Sequence, residues 1–170
     1  MRLISFTDAD WVQCSVERKS TSSCCFNLGS GVVSWFSRKK NAVALSSAEV
    51  DYMVASTDAC EVIWLRKILI SLFGQEMDAI IIYCDNNSCI KLSENPVFHD
   101  KSKHIDIRYH FIRNYVQKGV VRLEYVQTDV QVENIFTKAL IKGKFVKFQE
   151  KLGIFQVQRE AWDSSEPLPR

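Results

Sequence analysis

The sequence lacks the features that mark membrane-spanning, secreted and strongly basic proteins. None of its apolar runs approaches the length of about 18 residues that a transmembrane helix needs, so we expect no membrane partner. The first residues contain no apolar stretch of the kind found in secretory signals, which predicts an intracellular protein, cytoplasmic or nuclear. Its 22 Lys and Arg residues nearly balance its 20 Asp and Glu residues, for a net charge of +2. A nucleic-acid surface would therefore be a local basic patch.

Cysteine, glycine and proline set further limits on a chain of 170 residues. Six glycines and three prolines are too few for a collagenous or low-complexity chain. The six cysteines show no C-x-x-C spacing and no histidine at zinc-finger spacing, so we expect no zinc site. In a reducing compartment these thiols stay free and pack as small apolar side chains.

The order of apolar patterns predicts one α/β domain over residues 1–155. The predicted strands are Leu3–Thr7, Cys24–Leu28, Val32–Phe36, Ile80–Cys84 and Val120–Val126. The predicted helices are Glu49–Phe73, a short one after Asp85, His104–Lys118, one opening at a Thr128–Gln131 capping box, and Lys144–Leu152. This order indicates mixed α/β layers with a hairpin at one edge of the sheet. Residues 156–170 lack a usable period and contain two prolines, which predicts a disordered tail.

Three acidic residues stand where strands end or a long helix begins. Asp8 and Asp85 each follow a predicted strand, and Glu49 lies in the first turn of the long helix. Ligands of α/β sheets gather beyond the carboxyl ends of the strands, so Asp8 and Asp85 would share a site if their strands are neighbours. Clustered carboxylates repel each other unless a divalent cation neutralises them, and magnesium suits such hard oxygen ligands.

Each of these carboxylates also has a purely structural interpretation. Glu49 completes a capping box with Ser46. Asp85 could cap the helix that follows it. Asp8 could be a turn residue, and Asp10, two positions later, competes with it for any functional role. The spacing alone leaves both interpretations open.

Ordered motifs along the chain decide between them. They include Thr7-Asp8-Ala9-Asp10-Trp11, Ser46-Ser47-Ala48-Glu49, Tyr83-Cys84-Asp85-Asn86, Lys103-His104-Ile105-Asp106 and Ile135-Phe136-Thr137-Lys138. Through these motifs residues 5–155 resemble the ribonuclease H domain at the end of copia-type retrotransposon polyproteins. The resemblance implies a three-layer ribonuclease H-like fold, a five-stranded mixed sheet flanked by helices. It also implies hydrolysis of the RNA strand of an RNA–DNA hybrid with two magnesium ions, for which manganese could substitute, and a reverse transcriptase domain as a partner.

The resemblance further implies four acidic metal ligands. Three are carried over as Asp8, Glu49 and Asp85. The fourth position holds Asn134, where the family has Asp directly before Ile-Phe-Thr-Lys. Glu133 beside it points about 100° away around a helix and is not an automatic substitute. Asn134 lies opposite the apolar stripe of the predicted helix, so it need not pack in the core and would be a degenerate fourth ligand.

Basic residues cluster in two stretches despite the near-neutral total. Arg38, Lys39 and Lys40 precede the long helix, and Lys103 and Arg108 lie in a second basic segment. We expect them to contact the phosphates of a hybrid, whose recognition would rest on backbone and groove shape rather than base edges. Solvated loop and helix faces are the alternative interpretation.

Two functions remain open from the sequence. The first is magnesium-dependent ribonuclease H activity, weakened by Asn134. The second is a catalytically impaired relic of a reverse transcriptase polyprotein that binds nucleic acid or a protein partner. The sequence leaves the oligomeric state open.

Overall fold

A computed structural model describes residues 2–10, 21–39, 46–95 and 110–155. Three of the predicted phosphate contacts, Lys40, Lys103 and Arg108, lie outside these residues, as does the predicted tail 156–170. The strands are β1 (Leu3–Asp10), β2 (Thr21–Leu28), β3 (Gly31–Lys39), β4 (Ile80–Cys84) and β5 (Val121–Tyr125). The α-helices are α1 (Ser47–Phe73), α2 (Asn87–Glu94), α3 (Phe111–Gln117) and α4 (Lys142–Lys151), and a 3₁₀ helix spans Val132–Phe136.

The five strands form one mixed sheet in the order β3-β2-β1-β4-β5. β1 pairs antiparallel with β2 and parallel with β4, and β4 pairs parallel with β5. Thr7 lies opposite Cys84 across β1 and β4, so the next residue of each strand, Asp8 and Asp85, emerges at the same edge of the sheet. The sheet therefore meets the condition that the sequence left open, that these two strands are neighbours.

Helix α1 is set by its two ends. Ser46 accepts a hydrogen bond at Oγ from the Glu49 backbone N–H over 3.3 Å, which confirms the predicted N-cap. Gly74 takes the left-handed conformation at φ 64° and donates its N–H to Ile70 O, which ends the helix where the sequence predicted. The N-terminal half of α1 is buried against the sheet, and this fixes the direction of every side chain in its first turns.

Helices cover the sheet on both faces. The larger core lies between the sheet and α1, α2 and α3, and includes Phe26, Tyr52 and Ile82. A smaller core lies on the other face, where Val132 and Phe148 pack with the 3₁₀ helix and α4. These layers confirm the predicted α/β class. No helix among the residues described here is both long and apolar enough to cross a membrane.

The cysteines mostly pack as expected. Cys24, Cys25, Cys84 and Cys89 are free thiols and are buried. Cys60 is an exposed free thiol on α1, so the packing interpretation is wrong for that residue.

The predicted helix after Thr128 is wrong. Residues 128–130 form a turn, and Gln131 is completely buried instead of capping a helix. Its Nε2 donates to the Thr7 carbonyl over 2.6 Å and lies 3.5 Å from the Tyr83 carbonyl. The side chain is thus held against the strands by Nε2, while Oε1, the acceptor that a capping box would use, has no partner among the described residues. Only a short 3₁₀ helix follows it.

Candidate active site

Asp8 and Asp85 lie side by side at the carboxyl edge of the sheet, each with its own hydrogen-bond donor. Asp8 is 4% exposed, and its Oδ2 lies 3.2 Å from Thr137 Oγ1 and 3.0 Å from Lys138 Nζ. Asp85 accepts a hydrogen bond at Oδ2 from Thr128 Oγ1 over 2.8 Å. Burial raises the pKa of Asp85, and the negative charge of Asp8 raises it further, while the Thr128 hydrogen bond opposes the shift. Asp85 does not cap α2, because Asn86 does.

A third carboxylate reaches this pair from α1. Asp51 is 7% exposed, and its Oδ2 accepts a hydrogen bond from Asn86 Nδ2 over 2.8 Å. Burial raises the pKa of Asp51 to about 7, and the charges of Asp85 and Asp8 add to the increase. The Asn86 hydrogen bond acts in the opposite direction. Asp8, Asp51 and Asp85, which we call the carboxylate cluster, are therefore close enough to influence one another.

Asp51 is a carboxylate of α1 that interacts with Asp8 and Asp85. Two residues along an α-helix correspond to about 200° of rotation, so the side chains of Glu49 and Asp51 point in nearly opposite directions. Asp51 interacts with the other two acids, so this helix offers a second candidate acid beside Glu49, which stays the prediction of the family motif. A signal was present in the sequence, since Asp51 interrupts the apolar run Val50–Ala55, and a charged residue inside a buried stretch is unusual.

Asn134 borders the cluster as a buried residue, so the expectation that it need not pack in the core is wrong. It is 2% exposed, and its Nδ2 donates to the Thr128 carbonyl over 2.9 Å and to the Gln131 carbonyl over 3.0 Å. Its Oδ1 accepts a hydrogen bond from Lys138 Nζ over 2.7 Å. The tighter 3₁₀ geometry changes the direction of each side chain relative to an α-helix, which explains the error.

Glu133 is a further acid behind the cluster. Its side chain is completely buried, and neither carboxyl oxygen has a hydrogen-bond partner among the described residues. Burial raises its pKa well above the usual range, and the charge of Asp8 adds to the increase. Both effects favour the protonated form of Glu133.

One predicted phosphate contact lies at the same edge. Asp8 is opposite Ser23 on β2, and Ser23 is opposite Ser37 on β3. Arg38 comes directly after Ser37, so its backbone lies two strands from that of Asp8, about 10 Å away. The Arg38 side chain is exposed and its guanidinium lies 5.2 Å from the centre of the Phe36 ring. Lys39 is the last residue of β3.

The sequence matches Pol polyproteins of plant transposons. It is 37% identical over 157 residues to the retrovirus-related Pol polyprotein from transposon RE2 of Arabidopsis thaliana, and equally to that from transposon RE1. It is 35% identical over 152 residues to the polyprotein from transposon TNT 1-94 of Nicotiana tabacum. The chain is homologous to one segment of the copia-type Pol polyproteins. The alignments cover 89–92% of this chain but only 11% of each relative. No family model matches the sequence.

Two solved structures share the fold of this chain. LC11-RNase H1, isolated from compost by a metagenomic approach, gives a TM-score of 0.55 over 88% of this chain and 91% of that one, at 9% identity. LC11-RNase H1 in complex with an RNA/DNA hybrid gives 0.51 over 76% and 88%, also at 9% identity. The chain therefore has the ribonuclease H fold.

The carboxylate cluster fits magnesium in the kind of donor it offers. Hard carboxylate oxygens are the ligands that magnesium takes from proteins, and the mutual repulsion of the three acids is what a divalent cation relieves. The arrangement is different from a preformed site. Within the described ranges, no three His, Cys, Asp or Glu side chains are placed to hold a metal ion together. Each acid is instead held by its own donor, namely Lys138, Asn86 or Thr128.

Proposed function

We propose that this chain is a magnesium-dependent ribonuclease that hydrolyses the RNA strand of an RNA–DNA hybrid. The observation that carries the proposal is the convergence of Asp8, Asp51 and Asp85 at the carboxyl edge of a ribonuclease H fold. These acids come from β1, α1 and the end of β4, so they meet only in the folded chain. Homology to Pol polyproteins supports the choice, and one structural relative is described in complex with an RNA/DNA hybrid.

Asp8, Asp51 and Asp85 are the residues that would bind magnesium, or manganese in its place. The neutral Oδ1 of Asn134 would be the weakest of the available oxygens, because Lys138 already donates to it. Bound divalent cations would lower the pKa of water and neutralise charge on the leaving oxygen. The resemblance to ribonuclease H predicts two such ions. The chain itself supplies the buried surroundings that keep Asp8 and Asp51 fixed.

Basic side chains near the cluster would hold the nucleic acid. Arg38 stands at the same edge as Asp8, in a position to contact a phosphate of a strand bound across this edge. Recognition of this kind reads the backbone and gives little sequence specificity. A reverse transcriptase domain is the protein partner we propose, since the homologues are Pol polyproteins.

One observation favours a second function, a nucleic-acid-binding relic with impaired catalysis. Asn134 commits both amide hydrogens to backbone carbonyls and its oxygen to Lys138, so it has little left to offer a metal ion. A chain with this feature would bind a hybrid through its basic residues while cleaving it poorly.

Cleavage of an end-labelled RNA–DNA hybrid, with magnesium and with EDTA, separates the two functions. The proposed ribonuclease cleaves the RNA strand only with magnesium, and Asp85→Asn abolishes the cleavage while hybrid binding persists. Binding without cleavage in the unmodified chain supports the relic. A folded chain that neither binds nor cleaves the hybrid contradicts both functions.

A further inference from the structure

Lys138 sits inside the candidate site and not at its rim. Its Nζ lies 3.0 Å from Asp8 Oδ2 and 2.7 Å from Asn134 Oδ1. Its backbone N–H donates to the Asn134 carbonyl over 3.0 Å, so both the backbone and the ammonium group of Lys138 are held in place. The ammonium group thus lies between an acid of the cluster and the residue at the degenerate fourth position.

The contacts of Lys138 match those of a cation in this place. Asp8 is almost completely buried, and a buried carboxylate without a counter-charge is strongly destabilising. Lys138 supplies that charge over a distance typical of a charge-assisted hydrogen bond. A metal ion bound to the same two oxygens would need distances near 2.1 Å, which the ammonium group prevents while it remains there.

The charge balance of the site points in the same direction. With all three acids ionised, as metal binding would require, the cluster carries three negative charges, and the amide of Asn134 adds none. One divalent cation together with Lys138 neutralises the cluster completely. Two divalent cations together with Lys138 would leave two positive charges in excess, in a site where charge is costly because it is buried.

We propose that Lys138 occupies one of the two cation positions of this site, so that the chain without nucleic acid binds a single divalent cation. The inference rests on the proposed function insofar as it takes the carboxylate cluster to be a cation site. It differs from that function in predicting one bound divalent cation instead of two, with the ammonium group of Lys138 in place of the other. A second ion enters only when the Lys138 side chain leaves Asp8.

Manganese titrations of the metal-free chain test this inference without nucleic acid. Bound and free Mn²⁺ are distinguished by electron paramagnetic resonance, and calorimetry gives the number of ions per chain. We expect one Mn²⁺ per chain in the unmodified protein and a second in Lys138→Met, whose dissociation constant is lower by at least about tenfold than that of any second ion in the unmodified chain. Lys138→Arg keeps the charge and should still bind one.

Lys144→Met is the matched control. Lys144 Nζ lies 2.9 Å from Asp129 Oδ1, a similar ion pair to that of Lys138 but with an exposed acid outside the cluster. The Lys144→Met variant should bind one Mn²⁺, like the unmodified chain. Lys138→Gln, which can still donate a hydrogen bond to Asp8, replaces Lys138→Met if circular dichroism shows that the methionine variant is unfolded.

The counts decide the inference separately from the proposed function. Two ions of equal affinity in the unmodified chain and in Lys138→Met, or no ion in either, would overturn it. The expected counts in a chain that cleaves no hybrid would support the role of Lys138 and contradict the ribonuclease. If the unmodified chain binds two ions and cleaves the hybrid, the ribonuclease function is supported and the proposed role of Lys138 is contradicted.

Discussion

The side chain of Asn86 joins Asp51 to the start of α2. Its Nδ2 donates to Asp51 Oδ2 over 2.8 Å, while its Oδ1 accepts from the backbone N–H groups of Ser88 and Cys89. One amide therefore caps a helix and orients an acid of the cluster. Because the cap fixes the amide, Asp51 is held in place by a group whose own position depends on backbone hydrogen bonds.

The stability of the metal-free chain should fall as the pH rises through the range in which Asp51 ionises. The pKa of Asp51 is about 7 in the folded chain against 3.8 for an ordinary Asp, so the folded state binds more protons than the unfolded state between these values. The free energy of unfolding then decreases with pH, by at most about 1.4 kcal/mol per pH unit for this one group. Urea unfolding between pH 4 and pH 7 would measure the slope, which Asp51→Asn should reduce.

Other buried acids also contribute to the decrease in stability with pH. Burial also raises the pKa values of Asp58 and Glu133, so a negative slope should persist in Asp51→Asn. Asp129→Asn is the control, because Asp129 is exposed and its ion pair with Lys144 lowers its pKa. Equal slopes for the unmodified chain and Asp51→Asn would show that Asp51 is ionised at low pH in the folded state.

Replacing the two acids of α1 one at a time distinguishes their roles. We expect Asp51→Asn to lower hybrid cleavage by more than about 100-fold, since even residues that only orient a metal ligand are worth about 10–100-fold. Glu49→Gln should cleave like the unmodified chain, because two positions along the helix turn its side chain about 200° from that of Asp51. Initial rates at saturating magnesium give both values. The reverse pattern would restore the assignment that the family motif suggested.

Asn134→Asp should destabilise the metal-free chain, although it restores an acid. The amide donates to the Thr128 and Gln131 carbonyls, and a carboxylate cannot donate to either. An intramolecular hydrogen bond contributes about 0.5–1.5 kcal/mol net, so the loss of both should cost about 1–3 kcal/mol. Urea unfolding measures the loss, with Asn114→Asp on the exposed surface of α3 as the control. An unchanged free energy of unfolding would mean that these two hydrogen bonds contribute nothing.

Removal of Arg38 should change how hybrid affinity depends on salt. Each phosphate contact releases counterions, so Arg38→Gln should reduce the slope of log affinity against log salt concentration by about one. Arg122→Gln is the matched control, because Arg122 belongs to β5 and pairs with Glu124 over 3.6 Å. Fluorescence anisotropy with a labelled hybrid at several salt concentrations gives both slopes. Equal slopes would identify Arg38 as a solvated charge.

The sequence predicted the sheet and α1 well because their signals are local. The apolar run Ile80–Cys84 needs two covered faces, and Ser46 and Gly74 mark the ends of α1 by their own chemistry. Two acids of the cluster were also predictable, since strand ends locate Asp8 and Asp85 once the strands are known to be neighbours.

The remainder of the site depends on contacts between residues distant in sequence. Gln131 lies 124 positions from Thr7, and no local pattern reveals that its amide bonds that strand and prevents an α-helix. The burial of Asn134 and the place of Lys138 follow from the resulting 3₁₀ geometry. The choice between Glu49 and Asp51 likewise depends on which side of α1 meets the sheet edge.

The anchoring of Gln131 makes the segment from Thr128 to Lys138 a unit that is attached to the sheet through an amide group. Residues of such a unit open together, because their backbone hydrogen bonds run within the segment, while Thr128, Thr137 and Lys138 reach the acids only through their side chains. Asn134 and Lys138 would leave the carboxylates in one event, and the site would exchange its internal cation for solvent. A substitution of Gln131 would thus loosen the site while every acid is retained. A related sequence with all three acids intact would then still have lost the function.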